Sequence, residues 1–176
     1  MNLRETILEE HSRSQANKII RWVGNDKKRF AELMHLFTSD EYRVVQRAGW
    51  PLSDIVIAQP ELIKPYLAKL VKLLSKKGMH NAMIRHVLRI LQFVELPAKY
   101  HGEVVNACFD YLLKSEYPIA YKAFAMTVLL NITKHEPELR RELKIVIEEM
   151  MKEGSPGIKA RGKHVLKELS RVTEKS

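Results

Sequence analysis

Asp40-Glu41-Tyr42-Arg43-Val44-Val45-Gln46-Arg47-Ala48-Gly49-Trp50-Pro51-Leu52-Ser53-Asp54-Ile55-Val56-Ile57-Ala58-Gln59-Pro60 is the stretch from which the chain can be read. Take Ala48 as an anchor. Val44, Leu52 and Ile55 lie four before, four after and seven after it, which puts all four on one helical face. The same frame recurs. Val87 has Met83, Ile90, Leu91 and Val94; Ala125 has Tyr121, Val128, Leu129 and Ile132; Gly162 has Ile158, Val165, Leu166 and Leu169. The anchors are separated by 39, 38 and 37 residues, and a weaker copy stands at Ala16, 32 residues before Ala48. Pro60-Glu61-Leu62 returns as Pro137-Glu138-Leu139 after 77 residues, the same offset that separates Ala48 from Ala125. Two features recurring at one offset point to a structural repeat.

The segments between these helices also read as helical. DKKRFAELMHLF opens on Asp26, a good N-cap. PELIKPYLAKLVKLLSKKG starts at Pro60, stops at Gly78 and is expected to bend slightly at Pro65. PAKYHGEVVNACFDYLLKS follows Pro97, with Gly102 weakening its first turns, and PELRRELKIVIEEMMKEG runs from Pro137 to Gly154. The expectation is an all-α chain of about five helix pairs in one domain over 1–176, at 2–24, 26–58, 60–95, 97–134 and 136–170. No single pair can bury its own apolar face; stacked pairs can. Small anchors at Ala48, Ala125 and Gly162 allow close approach. The period and the absence of a tetratricopeptide Trp/Leu-Gly/Tyr pattern make the chain resemble the HEAT and armadillo class of α-solenoid.

Composition narrows function without fixing it. Thirty Lys and Arg oppose 21 Asp and Glu, for a net charge of +9. Such a surface attracts nucleic acid, acidic protein or anionic lipid. The first residues are charged and lack an apolar signal core, and no apolar run reaches the roughly 18 residues of a spanning helix. The single cysteine, Cys108, has no partner within the chain, so a reducing cytoplasm is the expected compartment. A monomer without membrane contact is expected. The seven histidines form no metal-ligand spacing, and no phosphate loop or nucleophile elbow is present, so neither metal nor cofactor is expected.

In a stacked solenoid the second helix of each pair usually lines the concave surface. Off the core stripe, those helices carry Lys18, Arg21 and Trp22; Arg43, Gln46, Arg47, Trp50 and Asp54; Arg85, His86, Arg89 and Gln92; Thr127 and Asn131; and Lys159, Arg161, Lys163, His164 and Lys167. The residues expected to bind a ligand are Arg43, Arg47, Trp50, Asp54, Arg85, Arg89, Arg161 and Lys163. Cations follow a phosphate backbone, and aromatic or guanidinium planes stack on bases. The bland alternative is a solvated face, with the tryptophans packed between pairs. Lys64, Lys69, Lys72, Lys76 and Lys77 are expected on the convex side, where they serve solubility.

Trp50 and Asp54 are spaced i, i+4 and share a face, and Arg89 stands on the next repeat's helix. A carboxylate in a basic, aromatic-lined cleft can stabilise a developing cation, which makes Asp54 the candidate catalytic residue; it can equally pair with Arg47, Arg85 or Arg89. The run W-P-L-S-D-I-V-I-A resembles the W-D-x-V-D-x-x-A segment of the HEAT-like alkylpurine DNA glycosylases (the AlkD family). The resemblance implies a DNA-facing groove in which Trp50, Asp54 and Arg89 match the groove residues. It departs at Pro51, where that family has an acidic residue, and at Met126-Thr127-Val128, where it has a second aromatic. Three functions follow in order: a non-enzymatic scaffold binding nucleic acid or another polyanion, an adaptor for an acidic protein, and a DNA alkylation-repair glycosylase.

Overall fold

A computed structural model describes residues 1–39, 41–76 and 78–173, with side chains to Arg171. Asp40, at the head of the repeat stretch, and Lys77 lie outside the described residues. The described residues form ten α-helices and two 3-10 segments, with no strand among them. Every anchor of the repeat frame, from Ala16 through Ala48, Val87 and Ala125 to Gly162, is buried. Neighbouring helices pack in pairs, and the fold is an all-α, HEAT-like solenoid. Packing groups the chain into two compact units, 1–94 and 95–176.

In the first unit α1 (Leu3–Glu9) and α2 (Arg13–Val23) are followed by α3 (Lys27–Ser39) and α4 (Tyr42–Ala58). Each start has a chemical reason. Asn2 and Ser12 cap α1 and α2 through their side-chain oxygens. Asp26 accepts from the backbone N–H of Lys28 and Arg29 at 2.8 and 3.1 Å, the expected cap of α3. Gly24 ends α2 at φ 49°, a conformation that side chains with a Cβ disfavour. The core comes from one face of each helix, with Phe30, Leu33 and Phe37 of α3 buried alongside Val44, Ala48, Leu52 and Ile55 of α4.

The third pair differs from expectation in its first half. Pro60–Tyr66 is a 3-10 helix, and an α-helix, α5 (Leu67–Ser75), begins only after it. Pro65 lacks the N–H for an α-helical rung and disfavours α geometry in the residue before it, so the tighter 3-10 turn replaces the gentle bend. By contrast α4 continues through Pro51. α6 (Asn81–Leu91) completes the unit and lies beside α4, which lies beside α2. These three second helices are therefore neighbours in the order α2, α4, α6.

In the second unit, a 3-10 turn over Ala98–Tyr100 leads into α7 (His101–Leu113). α8 (Ile119–Ile132), α9 (Leu139–Lys152) and α10 (Pro156–Thr173) follow. α8 packs on α7, α9 and α10. Gly162 is the close-approach point of the last pair: a Cβ there would stand 2.5 Å from the Met151 sulfur of α9. Cys108 is fully buried in α7, and desolvation pushes its thiol far above the usual range, leaving an inert core residue.

Candidate functional site

The site is built on α4. Trp50 and Asp54 lie one helical turn apart, and both are only partly exposed. Asp54 uses its two oxygens separately. Oδ2 accepts from Arg13 Nη1 at 2.6 Å, and Oδ1 accepts from Arg89 Nη2 at 3.0 Å. Arg13 opens α2 and Arg89 stands in the last turn of α6, so one carboxylate ties three successive second helices together. Its side chain is 17% exposed, against 61% for Arg13 and 33% for Arg89. The arginines therefore face water while the carboxylate sits behind them.

Arg13 also lies over the Trp50 ring, with its guanidinium carbon 5.6 Å from the centroid, and His11 meets the same ring edge-on at 5.9 Å. Trp50, Asp54 and Arg89 thus come together as their spacing suggests, and Arg13 and His11 join them. Neither newcomer was visible in the sequence pattern. Arg13 precedes Asp54 by 41 positions, and no periodicity signals a pair at that separation.

The other expected residues fall in different places. Arg85 is exposed one turn before Arg89. Arg43 is exposed in the first turn of α4, on the order of 16 Å along the helix from Asp54 at 1.5 Å per residue. Arg47 turns away: its guanidinium donates to the Leu8 carbonyl at 2.8 Å, at the end of α1. α1 has no basic residue in its own last turn, and Arg47 supplies that charge from α4. Arg161 and Lys163 belong to the second unit. Arg161 donates to the Thr127 hydroxyl of α8 at 2.6 Å, and Lys163 is exposed.

His86, expected on the free face, instead packs against α4. A Cβ on Gly49 would lie 2.2 Å from its ring, so the ring fills the space that glycine leaves. Ser53 Oγ is 3.3 Å from His86 Nδ1, and Phe37 meets the ring edge-on at 6.3 Å. Burial, reinforced by the Arg89 and Arg85 cations, lowers the His86 pKa to about 4, so it is a neutral packing residue at pH 7. Trp22 is covered too, by the Arg29 guanidinium 4.9 Å from its ring centroid.

Charge is distributed unevenly in this unit. α2, α4 and α6 carry seven Lys and Arg and one carboxylate, Asp54. Lys18 pairs with Glu9 of α1 at 3.4 Å, and Asp54 engages Arg13 and Arg89. Arg21, Arg43 and Arg85 make no ion pair with a described carboxylate. Among the described residues no group of three His, Cys, Asp or Glu is placed to hold a metal ion, and no helix is long and apolar enough to cross a membrane.

A family model described as HEAT repeat domain matches residues 3–169. No curated protein and no solved structure gives a significant match to the chain. That match spans both units and every helix pair, in agreement with the buried anchors and the paired packing. The chain belongs to the HEAT repeat domain family.

Proposed function

We propose that this HEAT-repeat protein is a non-enzymatic binding scaffold whose basic face, formed by α2, α4 and α6, takes a linear polyanion, foremost a nucleic acid. The supporting observation is the charge ratio: seven cations against one carboxylate across three adjacent helices. Arg21, Arg43 and Arg85 supply unpaired positive charge for phosphates, and Arg89 stands one turn from Arg85. Trp50, partly exposed on α4, carries the Arg13 guanidinium over its ring and so adds a further cation to this face. Arg47 leaves the binding set, because its guanidinium is committed to α1. Arg161 and Lys163 form a separate basic contribution from the second unit.

Asp54 in this reading positions arginines and performs no chemistry, since each of its oxygens already holds a guanidinium. A glycosylase would release base from alkylated DNA and lose that activity on Asp54→Asn; the scaffold releases none. The decisive titration uses labelled duplex and single-stranded oligonucleotides at 50 and 200 mM salt. Binding should weaken by one to several orders of magnitude across that range, according to how many phosphates are neutralised. Absence of binding at the lower salt overturns the proposal, and selective capture of an acidic protein would then favour the adaptor.

A further inference from the structure

Asp54 is the sole acidic residue on three helices that otherwise carry only positive charge. It lies between Arg13 and Arg89, less exposed than either, with one oxygen on each. Two guanidinia converging on two oxygens of one anion is also the arrangement that binds a phosphodiester, whose two non-bridging oxygens are similarly disposed. Trp50 lies one turn away beneath Arg13, and its ring holds the Arg13 guanidinium beside the carboxylate.

We propose that Arg13 and Arg89 form a phosphate clamp and that Asp54 is its built-in counter-anion. The carboxylate engages the two guanidinium groups that a backbone phosphate of the ligand would engage from the solvent side. This rests on the polyanion reading above and adds regulation to it. Asp54 keeps the two arginines on the binding face when the site is empty, and it repels or competes with an incoming phosphate. The wild-type chain then binds more weakly than its cations allow, and exchanges ligand more readily.

The test measures affinity of the full chain for one labelled oligonucleotide at low salt, for wild type, D54N and D54S. The proposal expects D54N to bind about 3- to 30-fold tighter, the range in which one close like charge and two surface ion pairs act. It further expects R13Q/R89Q to cost more affinity in the D54N background than in wild type, because only there are both arginines free. Wild-type binding with D54N equal or weaker overturns the counter-anion and leaves the polyanion reading standing. Absence of binding by all variants overturns both. Tight binding by D54N alone supports both, with wild type held off by its own carboxylate. D54S, which removes the charge with a different side chain, carries the comparison if D54N loses helical circular dichroism.

Discussion

Gly49 and His86 set the spacing of α4 and α6, and they do so through the absence of a methyl group. The imidazole lies where a Cβ on residue 49 would be, at 2.2 Å, and Ser53 and Phe37 hold it from two other sides. Gly49→Ala should therefore cost about 1–3 kcal/mol of stability, read as a fall in denaturation midpoint. Gly162→Ala meets chiefly the flexible Met151 side chain, with Ile147 Cγ2 at 3.1 Å, and should cost less than Gly49→Ala. Equal costs would mean that the His86 ring can move aside. The same histidine links stability to pH. Its pKa is about 4 in the folded chain and near 6.5 unfolded, so the unfolded chain binds the extra proton between those values. Stability from this residue is complete above pH 6.5 and is lost as pH falls toward 4, by at most about 3 kcal/mol. Urea denaturation at pH 7 and pH 4.5 should show the loss in wild type and a smaller one in His86→Gln. The sequence placed His86 on the free face because helical periodicity ranks positions by polarity; a ring seated on a neighbouring glycine breaks that ranking. A glycine inside a helical run, directly after an anchor, was the available signal.

At the scale of the element, what was legible depended on whether the cause was local. Asp26 caps α3, Gly24 and Gly78 have positive φ, and the apolar stripes bury as their spacing requires; each follows from neighbours in sequence. Pro65 was recognised but its effect underestimated, since a bend and a 3-10 segment differ in backbone geometry that side-chain spacing does not encode. Arg47 was beyond reach, because its acceptor on α1 lies 39 residues earlier. That contact gives α1 (only seven residues long) a partner for its terminal carbonyls. Arg47→Met should leave the α4 fold intact and loosen α1, by about 1–2 kcal/mol for a lost charge-assisted hydrogen bond. Hydrogen exchange of the α1 amides should accelerate by roughly tenfold with α4 amides unchanged; uniform acceleration would make Arg47 a global rather than a local support.

At the scale of the molecule, the repeat carries the fold, and in the function proposed above a surplus of charge carries the binding. Repetition was readable because every pair solves the same burial problem, and the family match over residues 3–169 agrees. The candidate site was half readable. Trp50, Asp54 and Arg89 could be grouped from spacing, whereas Arg13 and His11 enter only when α2 is laid beside α4. The central claim is that binding belongs to the face of α2, α4 and α6 rather than to net charge. Its most direct measurement compares R21E/R43E/R85E with K28E/K64E/K72E on the first-helix side, two variants with the same change in net charge. Oligonucleotide affinity at 50 mM salt should fall at least tenfold further in the first variant than in the second, and its salt slope should flatten. Equal losses in the two variants would contradict the account, leaving only a basic protein attracted by its total charge.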